Sequence, residues 1–163
     1  EPQLYDAVLI GFALREQGLL VAPGNPLGLN SVRDALERKA RLVIRPEGAG
    51  AQQLLLGLLT REGAELADFG ETVTAPTGPD IAQAIRAGHG DWGIAPRAIA
   101  TGAGLDFVPL LSERFDLIMR QRDAFRPRLQ KFLKFLASAA FRERAAELGG
   151  LDVSEAGSVR WAP

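Results

Sequence analysis

Short apolar runs of strand length alternate with amphipathic helical runs along most of the chain. RLVIR (Arg41 to Arg45) has the length and composition of a buried strand, and a leucine-rich helical run follows it after a glycine turn. TGPDIAQAIRAG then starts a second helix, and DWGIA (Asp91 to Ala95) forms the next strand. Because the connections are short, this rhythm predicts an α/β fold with a largely parallel sheet flanked by helices.

The remaining segments extend this pattern at both ends of the sequence. We expect separate strands at Ala7 to Ala13, Gly18 to Ala22, Leu105 to Leu111 and Glu113 to Arg120. A long amphipathic helix is expected from about Pro127. The segment Phe141 to Leu148 extends or follows it, and the paired glycines after Leu148 end it. No internal repeat or long linker separates independent domains.

Composition excludes several classes of function. The 163 residues carry 19 Lys and Arg against 20 Asp and Glu, which argues against a nucleic-acid surface in this segment. Without cysteine there are no disulfides or thiolate metal sites, and no apolar run is long enough for a membrane helix. The chain begins at Glu1 without Met or an apolar leader, so we expect an excised or processed segment whose targeting is not visible.

The sequence offers no catalytic constellation. His89 is the only histidine and lies in AGHGDWG, which predicts a surface turn. The nucleophile-elbow, zinc-protease and phosphate-loop motifs are absent. Glu113 and Asp116 are three apart on a predicted strand and so face opposite sides of it. We therefore predict that the domain is not an enzyme and holds neither metal nor cofactor.

The glycine turn after the strand at Arg41 to Arg45 is a better functional signal. Glycines at the start of a helix expose N–H groups, and the helix dipole favours an anion there. A second helix start at Thr77 and Gly78 would lie near it if both follow the carboxyl ends of strands. The alternative is a plain strand-to-helix turn. The predicted ligand-binding set is Arg45, Gly48, Ala49, Gly50, Ala51, Gln52, Thr77 and Gly78.

Three blocks of the sequence occur in the order and spacing of a known domain. They are REQGLLVAPGNPLGL (Arg15 to Leu29), RLVIRPEGAGAQQLL (Arg41 to Leu55) and IRAGHGDWGIAPRAIATGAGLDFVPLLSERFDLIM (Ile85 to Met119). They resemble the molybdate-binding type of periplasmic-binding-protein-like domain, which is found fused to helix-turn-helix regions and to molybdopterin biosynthesis proteins. The similarity covers about Val8 to Asp152.

The resemblance implies a type II periplasmic-binding architecture, with one complete lobe and an incomplete second one. Residues 16–109 would be the ligand-binding lobe, and residues 1–15 and 110–163 would be the crossover strands and the C-terminal part of the other lobe. The opening part of that lobe, and any DNA-binding region, would be absent from this segment. Exposed apolar helix faces would then favour self-association.

The chain departs from the family at the turn itself. The family commonly has Gly-Ser-Gly-Thr-Arg after Asn-Arg, whereas here Gly48, Ala49, Gly50, Ala51 and Gln52 follow Ile44 and Arg45. Losing two hydrogen bonds to a charged partner costs about 3–6 kcal/mol, or on the order of 10²–10⁴ in affinity. Tight binding of a small tetrahedral oxyanion is therefore weakened. A larger or less charged ligand, or none, remains open.

These observations favour a non-catalytic domain that senses a small, oxyanion-like ligand (molybdate or tungstate in type) for a transcriptional regulator. A regulator would be cytoplasmic. One alternative is the periplasmic solute-binding component of a molybdate or tungstate transporter. Another is an oligomerisation module that has lost its ligand. Self-association is expected, and contact with nucleic acid or membrane through this segment is not.

Overall fold

The computed structural model describes residues 6–162. It divides into two compact units, and each is described by itself below. The central unit is Glu16–Leu111, and the terminal unit consists of residues 6–15 and 112–162. Within the described residues, no helix is long and apolar enough to cross a membrane.

Two long strands contribute residues to both units. β1 is Ala7–Val21 and β5 is Asp106–Arg120, each of 15 residues. The sequence pattern predicted two strands in each place, which is wrong. Polar residues interrupt both apolar runs, but the strands continue because those residues have partners: Arg15 forms an ion pair with Glu113 at 2.5 Å.

The central unit contains a mixed sheet with the strand order β3-β2-β4-β1-β5. β2 (Leu42–Ile44) runs parallel to both of its neighbours, β3 (Val73–Thr74) and β4 (Trp92–Pro96). β1 pairs antiparallel with β4. The parallel core of the sheet thus agrees with the sequence pattern, and the antiparallel neighbour comes from the long strand β1.

Four helices and a 3₁₀ turn cover this sheet. Ser31 and Thr77 cap the first and third helices by accepting hydrogen bonds from Asp34 N and Asp80 N. The turn covers Leu66–Phe69. The helices are α1 (Val32–Glu37), α2 (Gly50–Glu62), α3 (Gly78–Arg86) and α4 (Arg97–Ala103).

Strand alternation divides the buried side chains of the central unit between two faces. On one face, Trp92 and Leu19 pack with Leu55 and Leu59 of α2. The opposite face carries Val43 and Leu20 from the strands and the apolar stripes of α3 and α4. Leu54 and Leu58 of α2 are partly buried against the first cluster, whereas Leu56 is exposed.

The terminal unit is smaller and combines three helices with strands. The described end of the chain forms α5 (Gln121–Ala124), α6 (Pro127–Leu136) and α7 (Ala139–Leu148). β6 (Leu151–Asp152) and β7 (Val159–Trp161) follow and pair antiparallel with β1. Phe12, Phe115, Phe135 and Phe141 form a run of edge-to-face contacts with ring centroids 5.4–5.7 Å apart. Of the two expected possibilities, the segment Phe141 to Leu148 follows the first helix as part of a second one.

Candidate functional site

The carboxyl end of β2 is a switch point in the central unit. The connection after β2 leads to α2 on one face of the sheet, whereas those after β3 and β4 lead to α3 and α4 on the opposite face. β3 and β4 flank β2 on either side and run parallel to it. In open α/β sheets such divergence opens a crevice beyond the strand ends, where ligands bind.

Arg45 lies at this point, directly after the last residue of β2. Its backbone N–H donates to Oε1 of Gln52 at 3.0 Å. Its side chain is partly buried, and its Nε has no hydrogen-bond partner among residues 6–162. A guanidinium N–H that is covered and unpaired is costly, so an acceptor there would be stabilising.

The start of α2 supplies further donors. Gly48 has φ of 84°, a left-handed conformation that favours glycine, and Ala49 is the N-cap without a side-chain hydrogen bond. The N–H groups of Gln52 and Gln53 donate to Ala49 O. The N–H groups of Gly50 and Ala51 have no intrahelical acceptor, because they belong to the first turn. Backbone donors are therefore present in a turn where the side chains of Ala49 and Ala51 carry no hydroxyls.

Gln52 differs in environment from its neighbours in the turn. Its side chain is 5% exposed, and its Oε1 ties the helix back to the Arg45 backbone. This contact fixes the position from which the Arg45 side chain extends. Gln52 therefore stabilises the turn through a buried hydrogen bond.

The start of α3 is already occupied by its own side chains. The Thr77 hydroxyl donates to Asp80 Oδ2 at 2.5 Å and accepts from Asp80 N at 3.4 Å. The Asp80 carboxylate thus takes the place that an external anion would favour at this helix end. A Cβ at Gly78 would lie 3.3 Å from Ile99 Cγ1, so this glycine lets α3 pack closely on α4. Among the candidate residues, the structure brings Arg45 and Gly48 to Gln52 into one turn and places Thr77 and Gly78 after the adjacent strand.

Sequence reasoning missed a second cation at this edge. Arg97 is the first residue after β4, as Arg45 is after β2, and it forms an ion pair with Glu16. Its Cζ lies 4.4 Å from the centroid of the Phe107 ring. The sequence does show a cation directly after a predicted strand. Its partner Glu16 is 81 residues away in sequence, so local pattern could not reveal the ion pair.

In the terminal unit, the clustered charged side chains pair with side chains of opposite charge. Arg160 contacts Asp116 and Glu155, and Arg114 also contacts Glu155, around a cavity of about 120 Å³. The hydrogen bond from Arg160 lowers the pKa of Glu155 below its ordinary value. Glu113 pairs separately with Arg15. This arrangement stabilises local structure and presents no unmatched cation.

Other chemistry has little support in the described structure. His89 is exposed in the turn after α3, as the sequence indicated. Within residues 6–162, no group of three or more His, Cys, Asp or Glu residues is arranged to hold a metal ion. The strand-end turn with Arg45 is therefore the candidate site.

Comparison with known proteins gives a family and a fold. The family described as the PBP superfamily domain matches residues 3–137. The uncharacterised protein YvgK of Bacillus subtilis is 30% identical over 155 residues, covering 93% of this chain and 49% of YvgK. An uncharacterised protein from the ferredoxin 2Fe-2S gene 5′ region of Clostridium pasteurianum is 28% identical over 80 residues, 48% of this chain and 71% of that protein. The chain thus spans about half the length of YvgK.

Solved structures of similar fold include Peb3 and the ligand-binding domains of two other proteins. Peb3 from Campylobacter jejuni has a TM-score of 0.64 at 19% identity, over 88% of this chain and 67% of Peb3. The effector-binding domain of QuiR, in complex with shikimate, has a TM-score of 0.59 at 13% identity, over 83% and 66%. The Synechocystis CcmR regulatory domain, in complex with 2-PG, also reaches 0.59, at 16% identity over 83% and 67%. The long crossing strands, the open sheet flanked by helices and the match over residues 3–137 lead to one conclusion: the chain belongs to the PBP superfamily domain family.

Proposed function

We propose that this domain binds a small organic anion, without catalysis, at the strand-end turn that contains Arg45. The single observation that carries the proposal is the covered Nε of Arg45, which lacks a partner in the described part of the chain. Arg45 belongs to the connection that leads to the Gly50 and Ala51 N–H groups, which lie at the positive end of a 13-residue helix. Arg45, Gly48, Ala49, Gly50 and Ala51 would contact the anion.

The remaining predicted residues would support the site. Gln52 holds the Arg45 backbone, and Thr77 caps α3 while its hydroxyl is bound to Asp80. Gly78 allows the close approach of α4. In this proposal these three residues shape the crevice and do not contact the ligand themselves.

The donor set favours a carboxylate over a small tetrahedral oxyanion. A carboxylate is planar and accepts paired hydrogen bonds from a guanidinium, with backbone N–H groups beside it. Molybdate or tungstate would need donors around the whole ion, and Ala49 and Ala51 offer no hydroxyls. The structural neighbours support an organic ligand, because QuiR is in complex with shikimate and PEB3 is bound to L-phospholactate.

Titration calorimetry tests this proposal directly. We expect heat with millimolar shikimate, succinate or L-phospholactate, and none with molybdate. Arg45→Ala should lower affinity at least tenfold, since a hydrogen bond to a charged partner contributes about 1.5–3 kcal/mol. Arg61→Ala, at the opposite end of the same helix, removes the same charge and should leave binding unchanged. Equal losses in both variants would contradict the proposed site.

Restoring family hydroxyls tests the explanation for the ligand preference. The pair Ala49→Ser and Ala51→Thr should create measurable molybdate binding, because it adds two donors next to Arg45. Gln52 stays unchanged in this variant, since its side chain is buried and an arginine there would need a partner for its charge. Continued absence of molybdate binding would mean that the missing hydroxyls do not explain the preference.

We further propose that the domain serves as the effector-binding part of a cytoplasmic transcriptional regulator. The effector-binding domain of QuiR and the regulatory domain of CcmR, which have a similar fold, support this role. The periplasmic sulphonate-binding protein SsuA of Escherichia coli, with a TM-score of 0.52, keeps the transporter alternative open. The domain content of the full gene product distinguishes them: a helix-turn-helix favours the regulator and an export signal favours the transporter.

An oligomerisation role is a second candidate, and the exposed apolar side chains of the terminal unit favour it. Ile118 is 62% exposed and Phe125 is 78% exposed. We expect self-association at tens of micromolar, measured by light scattering, and dissociation in the double variant Ile118→Asp with Phe125→Asp. The matched Leu56→Asp variant, on α2, should keep the wild-type mass. A wild-type monomer would overturn this role.

A further inference from the structure

Arg97 and Arg45 lie at the carboxyl ends of neighbouring strands. β2 and β4 are paired in parallel, with Leu42 opposite Trp92 and Val43 opposite Gly93. Each arginine directly follows its strand. Continuing this register places Ala95 beside Arg45, and Arg97 lies two residues further along. With strands about 4.8 Å apart and a rise of about 3.3 Å per residue, the two side chains start about 8 Å apart, a spacing that one small molecule with two anionic groups can bridge.

Glu16 is the carboxylate that Arg97 contacts in the described structure. About a third of each of these two side chains is exposed, at 33% for Arg97 and 35% for Glu16. A pair this accessible to solvent is weak, because water and salt screen its attraction. An external carboxylate can therefore replace Glu16 as the partner of Arg97 at small cost.

Phe107 would keep Arg97 in place during such an exchange. The guanidinium lies over its ring, at 4.4 Å from the centroid, and this contact does not involve Glu16. Gly18 makes the arrangement possible, because a Cβ there would lie 2.6 Å from the Phe107 ring and 2.1 Å from Val108 O. The cation therefore has a built support as well as an exchangeable counterion.

We propose that Arg97 is the specificity-determining second cation of the site and selects organic acids with two anionic groups. One group binds Arg45 and the start of α2, and the other displaces Glu16 from Arg97. Glu16 acts as a built-in competitor that fills the position until a dianionic ligand arrives. This inference rests on the proposed function, since it assigns the second half of the same ligand.

Succinate and butyrate form a matched pair of probes, because both have four carbons and they differ by one carboxylate. In isotope-labelled protein, the Nε–Hε signals of the arginines report which guanidinium is contacted. We expect succinate at tens of millimolar to shift both Arg45 and Arg97, and butyrate to shift Arg45 alone. If neither probe shifts Arg45, the proposed function and this inference both fail. If succinate shifts Arg45 without Arg97, the function stands and this inference is overturned.

Removing the Glu16 carboxylate should strengthen succinate binding, and not weaken it. Glu16→Gln should raise succinate affinity about fivefold, the upper range for an exposed ion pair, and leave butyrate unchanged. Glu62→Gln is the matched control, because it removes the exposed carboxylate partner of Arg33 in the same unit and should change neither affinity. Arg97→Ala should reduce succinate affinity to the level of butyrate and abolish the gain from Glu16→Gln. A gain for both probes, or for neither, contradicts the exchange.

Discussion

The two units of this chain bury their apolar side chains to very different extents. In the central unit, helices cover both faces of the sheet and the largest side chain, Trp92, is 0% exposed. In the terminal unit, the described buried hydrophobics larger than alanine are Val8, Ile10 and Leu136. Eight of the ten large exposed hydrophobics among residues 6–162 belong to it: Leu14, Phe115, Ile118, Phe125, Phe132, Phe135, Val159 and Trp161.

The central unit therefore has a closely packed apolar core, whereas the terminal unit leaves many of its large apolar side chains exposed. Helices on both faces of a mostly parallel sheet form a closed layered architecture. The candidate site lies in the central unit, where rigid strand ends position Arg45 and Arg97. The terminal unit instead relies on edge-to-face aromatic contacts and on surface ion pairs, which contribute little individually. Its apolar surface is the kind that marks an interaction site.

The largest expected effect compares one aromatic side chain from each unit. Trp92→Ala should destabilise the protein by about 3–5 kcal/mol, because it leaves a cavity beside Phe69 in a closed core. Phe125→Ala, at a 78% exposed position, should change stability by less than about 0.5 kcal/mol. Urea denaturation followed by circular dichroism measures both. Similar losses in the two variants would remove the contrast between the units.

A smaller effect tests how tightly the central unit is packed. A Cβ at Gly93 would lie 2.6 Å from Ile81 Cγ2 and 2.9 Å from Val43 O, so Gly93→Ala should cost about 1–3 kcal/mol. Gly57→Ala is the control, since Gly57 lies within α2 and nothing is within 4 Å of its added Cβ. That variant should gain about 0.5–1 kcal/mol. If Gly93→Ala is neutral, the core has more free space than its contacts indicate.

Local pattern was sufficient for much of the central unit. The helix caps at Ser31 and Thr77, the strand at β2 and the glycine turn were predictable, because each depends on residues close in sequence. The long strands were not, since the polar residues near Arg15 interrupt their apolar pattern and find partners about a hundred residues away. The Glu16–Arg97 pair was hidden for the same reason.

Gln52 tests whether the turn itself depends on a buried polar contact. Gln52→Leu keeps a similar volume but removes the acceptor of the Arg45 N–H, so we expect a loss of about 1–2 kcal/mol. The exposed neighbour Gln53 provides the control, and Gln53→Leu should be nearly neutral. Thermal unfolding measures the difference. A neutral Gln52→Leu variant would show that the Arg45 backbone finds another partner, and would weaken the support proposed for the site.

The smallest expected effect is on how the free energy of unfolding depends on pH, and we expect it in the central unit. Hydrogen bonds from Arg41 lower the pKa of Asp91, a carboxyl that joins the amino ends of β2 and β4. Because the folded pKa lies below the unfolded value of about 3.9, the contact stabilises the protein above that pH and is lost as pH falls through the lowered pKa.

The two tryptophans allow each unit to be followed separately. Trp161→Phe leaves Trp92 as the fluorescent reporter of the central unit. In that background Asp91→Asn should cost less than about 1 kcal/mol at neutral pH, since Arg41 is 56% exposed, and should lose less stability on acidification than its parent. Glu155→Gln, in the terminal unit, should leave the Trp92 transition unchanged at every pH, because its partners Arg114 and Arg160 lie outside the central unit. If Asp91→Asn keeps the parental pH slope, the Arg41 contact does not contribute to the stability of the central unit.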